Sequence, residues 1–379
     1  HGLVEGEGCK DVECTAKYIE GEMRRASGMD GGGKVDVMEA MITATILLPP
    51  LPPPPQKHLK CPNDQRLYPI SISIPASNIV QCVPAKKNLH APTANKGPYS
   101  FSSEQDYNLA YRESMYGNTT RKSGYDCLRH YEILAAGSVP WFEGIASIPP
   151  MTMVTWPRAA VSDLMEARDG EAPSSPSDFY RCQTNRLLSY ARDHLTTLAA
   201  ARRLLATMGY PDPRAASGLK VLFLSGSGGV DYVRDLLLHG LKSAVRSGGG
   251  SVVDWSRPPH MYEGYGEGEG GEAGELYGRG FTYSRRLGGG DDDVYRGDLE
   301  RRVREREFDV VVFGSVHRGM PLLEVVKEVY GREEIAFVDG EDEHECRKVK
   351  ELMREGKVFM REIGEHWVEE EGCVVVEAE

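Results

Sequence analysis

Hydrophobic residues follow two different rhythms along this chain. From Lys220 onward, short continuous apolar runs alternate with stretches whose apolar positions recur at helical spacing, beginning with KVLFLSGSGG, DYVRDLLLHGLKSAVRS and SVVDWS. Continuous runs predict strands buried on both faces of a parallel sheet, and the amphipathic stretches predict the helices that cover it. The same pattern predicts helices at Asp298 to Glu307, Leu322 to Tyr330 and Cys346 to Glu355, with strands at Asp309 to Phe313, Glu334 to Val338 and Val358 to Arg361. Residues 218–363 therefore read as a Rossmann-like unit, with 364–379 as a tail.

Upstream the rhythm is less regular. From Leu67, YPISISIP alternates in the way a half-buried strand does, and Pro75 closes it. A further strand is predicted at Pro98 to Phe101. Ser102 and Ser103 ahead of Glu104 and Asp106 read as the capped start of a helix that stops near Gly117. A helix at Asp126 to Gly137 runs into a strand at Val139, a helix follows at Val161 to Ala167, and Arg186 to Met208 reads as one long helix ended by Gly209, Pro211 and Pro213. Residues 58–208 thus form a second α/β unit. Residues 1–57 lack sustained periodicity and end in PPLPPPP, which predicts a disordered arm with a stiff polyproline II spacer. The inserts at Gly264 to Leu276 and Gly288 to Asp293 have too little apolar surface to order themselves.

Composition narrows the class of partner. With 379 residues and a hydrophobic fraction of 40%, the chain can supply a core for two domains. Lys plus Arg total 45 against 57 Asp plus Glu, a net charge of −12. That balance opposes non-specific attachment to nucleic acid or anionic lipid and leaves local basic clusters as anion sites for a small partner. The eight cysteines are scattered and form no CxxC pair, so neither a zinc framework nor a disulfide scaffold is expected and a reducing compartment fits. No apolar run is long enough to predict a membrane span, and localisation stays open.

The segment YDCLRHYEILAAGSVPWF, Tyr125 to Phe142, carries the densest chemistry: Arg129, His130 and Glu132 sit just before an apolar helix end at which Gly137 permits a positive φ. Glu132 to Pro140 resembles the donor-binding turn of two-Rossmann-domain (GT-B) nucleotide-sugar glycosyltransferases. The longer run from Tyr99 to Phe142, with its DCLRHYE signature at Asp126 to Glu132, resembles glycosyltransferase-like proteins of algae and viruses that are distantly similar to exostosins and spore-coat glycosyltransferases. VLFLSGSGGVDYVRDLLLHGL, LYGRGFTYS, FDVVVFGSVHRG and IAFVDGEDEH extend the resemblance.

The resemblance implies two Rossmann-like domains around a cleft. In the relatives the second unit comes first, so it also implies a circularly permuted order, and Glu362 is expected near Leu67. It implies transfer of a sugar from a nucleotide-diphosphate sugar to a glycan or other acceptor hydroxyl, with the nucleotide sugar as substrate and no cofactor or metal. Glu132 would accept hydrogen bonds from donor hydroxyls; Arg121, Lys122 and Arg129 would clamp the diphosphate; Gly137 and Ser138 would lend backbone amides. Many relatives carry a second glutamate eight positions earlier, where this chain has Gly124. Ser227, His317, Arg318 and Asp342, in loops that follow strands, would face the acceptor.

His130 is open to two readings, a catalytic base or a structural histidine. The DGEDEH run at Asp339 to His344 offers hard oxygens to a divalent cation, but a polar loop at a sheet's carboxyl end accounts for it equally. Two rivals to sugar transfer remain. One is a nucleotide-dependent oxidoreductase on the unit beginning at Lys220, with Asp254 as the ribose acid, although SGSGG at Ser225 to Gly229 lacks the GxGxxG spacing. The other is a degenerate carbohydrate- or nucleotide-binding relative, favoured by the glycine at position 124.

Overall fold

VVVFGS and IAFVD are apolar up to a closing Ser315 and Asp339 and are buried along their whole length, as strands covered on both faces must be. They lie at the centre of an eight-stranded sheet. A computed structural model describes residues 50–92, 101–167, 176–213, 217–226, 229–266, 275–288 and 295–377. In chain order the strands are β1 (Lys57–Cys61), β2 (Gln65–Pro69), β3 (Asn88–His90), β4 (Ser114–Thr120), β5 (Val139–Glu143), β6 (Lys220–Ser225), β7 (Ser251–Trp255), β8 (Val310–Ser315), β9 (Ile335–Asp339), β10 (Lys357–Met360) and β11 (Val374–Glu377). The large sheet has the order β11-β1-β2-β10-β9-β8-β6-β7, and β3-β4-β5 form a separate parallel sheet. From β2 to β7 the large sheet is parallel; β1 and β11 add antiparallel at its edge.

The helices are α1 (Glu104–Arg112), α2 (Leu128–Ala135), α3 (Arg158–Glu166), α4 (Asp178–Tyr190), α5 (Thr197–Thr207), α6 (Tyr232–Arg246), α7 (Leu299–Arg304), α8 (Leu323–Val329), α9 (Cys346–Glu355) and α10 (His366–Glu369). The α/β class is therefore as expected. Leu67 pairs with Val358, and Ile70 N–H donates to Met360 O at 3.0 Å, so the segments around Leu67 and Glu362 adjoin. Among the described residues no helix is long and apolar enough to cross a membrane.

Several local expectations are corrected. The helix expected to reach Gly117 ends at Arg112, and SMYGNTT is a buried strand in which a side chain at Gly117 would overlap Ile133. The expected Arg186 to Met208 helix is broken: a π-helical turn at Ala191–Leu195 leads to an extended Thr196, which caps α5 through Ala199 N–H. The cause is tertiary. Ile74 N–H donates to Leu195 O and Thr197 N–H donates to Ile74 O, both at 3.0 Å, so Ile74 takes backbone groups that a continuous helix would use. The alternating segment from Leu67 accordingly forms a strand only to Pro69.

The expected tail is folded into α10 and β11, and the expected arm already enters the sheet at Lys57. Strands from both expected units thus share one sheet. Cys61 and Cys373 form a disulfide that ties the end of β1 to the approach to β11, against the expectation of no disulfide. The arm's first 49 residues, most of the Pro98 to Phe101 strand and much of the two inserts lie outside the described residues.

Candidate functional site

The parallel strands carry their carboxyl ends toward a cavity of about 290 Å³. Its walls come from segments distant in sequence: the end of β4 with Lys122, the start of α2 with Asp126, Arg129 and Glu132, the start of α6 with Asp231, and Arg318, Asp342 and Arg361. A cleft beyond strand carboxyl ends is where open α/β sheets bind ligands. A larger cavity of about 830 Å³ lies between Pro53–Pro55 and α5. It touches the carboxyl end of β2 at Pro69 and Ile70 but contains none of Lys122, Arg129, Arg318 and Asp342, and size alone does not favour it.

Position 124 explains how the cavity wall is assembled. A Cβ there would overlap Asp342 Oδ1 and Glu362 Oε1, so two carboxylates from the far segment fill the space beside Gly124. Glu362 Oε1 accepts from Asp126 N–H at 2.7 Å. Arg361 donates to Asp126 O, Asp342 Oδ1, Gly340 O and Glu362 Oε1. Asp126 in turn accepts from Ile72 N–H at 2.7 Å and Tyr131 O–H at 2.8 Å. Burial raises the Asp126 pKa to about 7, helped by Glu362 and opposed by Arg361. This network joins the DCLRHYE segment to the end of β10. Sequence reading assigned no role to Asp126 or Arg361; Arg361's place at a strand's carboxyl end was the available signal.

Glu132 is at the cavity wall but only 5% exposed, and both of its oxygens are used. Tyr107 O–H and Thr282 Oγ1–H each donate to it at 2.6 Å. Burial raises its pKa, while those two hydrogen bonds pull it back. Instead of presenting a bare carboxylate, Glu132 fastens α2 to α1 and to the Tyr277–Ser284 segment.

His130 is not a base facing the cavity. The ring is fully buried and stacks on Phe142 with centroids 4.3 Å apart. Its Nε2 lies 2.8 Å from Tyr125 O, which can only accept, so Nε2 carries the proton and Nδ1 accepts from Thr119 O–H at 3.0 Å. Burial lowers its pKa to about 4. The structural reading fits and the catalytic one does not.

Gly137 and Ser138 lie at the opposite end of α2 from the cavity. Gly137 has φ 74° as expected, but its N–H donates to Leu134 O and Ser138 N–H donates to Ile133 O, which leaves no amide for a phosphate. Ser138 is fully buried, and its hydroxyl bonds to Tyr111 O and Ser114 O. Arg121 is turned onto the Tyr125 ring, 4.5 Å from its centroid, and away from the clamp expected of it. Lys122, Arg129, Arg318 and Asp342 do converge on the cavity. Arg318 donates to Val230 O at 3.0 Å, while its buried Nε has no hydrogen-bond partner. Asp231 Oδ2, in the same wall, is likewise buried without a partner. Ser227 lies outside the described residues.

Asp254 is fully buried and is held by Lys242 at 2.9 Å, Arg296 at 2.8 Å and Tyr262 O–H at 2.6 Å. Burial works to raise its pKa, but Lys242, Tyr262 and Arg296 together lower it, and these contacts leave the carboxylate no face for a ribose. His317, beside the cavity residue Arg318, is bonded to Asp339 at 2.8 Å. Comparison of the chain with protein-family models, curated proteins and solved structures found no match.

Proposed function

We propose that the protein is a glycosyltransferase acting on a nucleoside-diphosphate sugar, built as a GT-B-like pair of Rossmann-like units in permuted order. The observation that carries this reading is convergence: Lys122 and Arg129 from one segment wall the same cavity as Arg318 and Asp342 from another, about 200 residues away. Lys122, Arg129 and Arg318 supply positive charge for a diphosphate and for the leaving group as its bond to the sugar breaks. The unpartnered Nε of Arg318 and Oδ2 of Asp231 offer a donor and an acceptor to the same ligand. Asp342 is placed for a sugar or acceptor hydroxyl, and Glu132 positions α2 without touching the donor. The burial of Asp254 speaks against a dinucleotide enzyme.

The test is a panel of nucleoside-diphosphate sugars assayed for release of the nucleoside diphosphate. Arg129→Ala should lower kcat/KM on the order of 10- to 100-fold, whereas Arg121→Ala should leave it nearly unchanged. Saturable binding without turnover would favour the degenerate relative. Absence of both binding and turnover across the panel would end the nucleotide-sugar reading.

A further inference from the structure

Two loops beside the cavity bring together a set of side chains that hydrogen bonding leaves incomplete. Asp339 ends β9 and is 2% exposed; His317 follows β8, and His344 closes the loop after β9. One ligand atom from each of the three lies within 4.8 Å of the others. An ion pair accounts for His317, whose Nε2 is 2.8 Å from Asp339 Oδ1. His344 makes the same approach to Asp339 from the other side, but its ring is left less satisfied. That side chain is 4% exposed, its Nδ1 is 3.0 Å from Asp339 Oδ2 without the alignment of a hydrogen bond, and neither ring nitrogen has a hydrogen-bond partner. A neutral imidazole always has one N–H to satisfy, so a buried ring with two unsatisfied nitrogens beside a carboxylate calls for a further partner.

We infer that His317, Asp339 and His344 bind a divalent transition-metal cation of the zinc class. Two imidazoles and one carboxylate are the nitrogen and oxygen donors such ions take, and three protein ligands leave a position for water or a ligand group. Solvent can reach the site because the His317 side chain is 27% exposed. The Glu341 N–H lies 3.3 Å from Asp339 Oδ1 and helps fix that carboxylate. The rest of the DGEDEH run serves other partners: Asp342 pairs with Arg361, and Glu341 lies 4.0 Å from Arg318. Ion binding therefore crosslinks the two loops that carry Arg318 and Asp342 to the cavity. The site stands independently of any sugar-transfer activity, since none of its three ligands lines that cavity.

The full chain, stripped with a chelator and dialysed, is titrated with Co²⁺ and followed by its visible d–d absorption, then back-titrated with Zn²⁺. One equivalent of Co²⁺ displaced by Zn²⁺ is expected, with affinity reduced on the order of 100-fold in His344→Ala and in His317→Ala, and unchanged in Glu343→Ala on the same loop. Because His344 is enclosed, circular dichroism of each variant accompanies the titration, and the more exposed His317→Ala decides the matter if His344→Ala does not fold. No d–d band in the native chain, or Co²⁺ affinity that a folded His317→Ala variant leaves within twofold, overturns the proposal.

Discussion

Replacing His130 by phenylalanine tests whether the most conspicuous titratable residue of the DCLRHYE segment works by chemistry or by architecture. Phenylalanine retains the stacking on Phe142 but abandons two buried groups, Thr119 O–H and Tyr125 C=O. At pH 7.5 leaving them unpaired costs about 3 kcal/mol in total. The native histidine also carries a pH term. Its pKa falls from 6.5 in the unfolded chain to about 4 in the folded one, so as pH drops the unfolded chain takes up a proton first. That stability is present above pH 6.5 and is lost on the way down through pH 4, where about 3 kcal/mol has gone. Urea unfolding followed by tryptophan fluorescence, native against variant from pH 7.5 to 4, should show the difference in unfolding free energy shrinking toward zero. The groups the two proteins share cancel in that comparison. A difference that stays constant across this range would refute the buried, neutral imidazole. If turnover is found, its loss in a folded His130→Phe protein would restore the catalytic reading.

Asp254→Ala should destabilise the protein by about 3–5 kcal/mol, because Lys242 and Arg296 lose the buried carboxylate that both contact; thermal unfolding measures it, and a neutral result would reopen Asp254 as a ligand-binding acid. A Cys61→Ser/Cys373→Ser pair should cost about 4 kcal/mol in denaturant unfolding, since the crosslink spans 312 positions of chain and constrains much of the unfolded ensemble; an unchanged midpoint would show that β1 and β11 hold without it.

Where local rhythm governed structure, the residues announced it. Ser103 caps its helix, Gly137 takes the left-handed turn, and the runs around Val310 and Ile335 are the central strands. What failed depended on a distant partner. Nothing near Thr196 marks a helix break, because the backbone that competes for Leu195 and Thr197 belongs to Ile74. Nothing near Cys61 marks a disulfide whose other half follows α10. The site divides the same way. Cationic residues next to strand ends, Lys122 and Arg318, could be chosen by position, but Glu132 and His130 could not be stripped of their expected roles until Tyr107, Thr282 and Tyr125 were placed against them.

Gly124 shows why a missing side chain in a sequence need not mean a missing charge in a fold. At that position a glutamate would bring its carboxylate from within the Arg121 to Glu132 segment. In this chain the space belongs to Asp342 and Glu362, which arrive from the ends of β9 and β10 and are neutralised by Arg361. Gly124 and the far carboxylates are one arrangement: a side chain at 124 would force those two acids to shift. Because Glu362 and Arg361 also grip Asp126, the same contacts that fill the gap clamp the start of α2, and with it Arg129, against the parallel sheet. A ligand in the cavity therefore meets groups whose relative positions are set by that clamp, so that electrostatics at the cavity wall and the join between the two segments are inseparable in this fold.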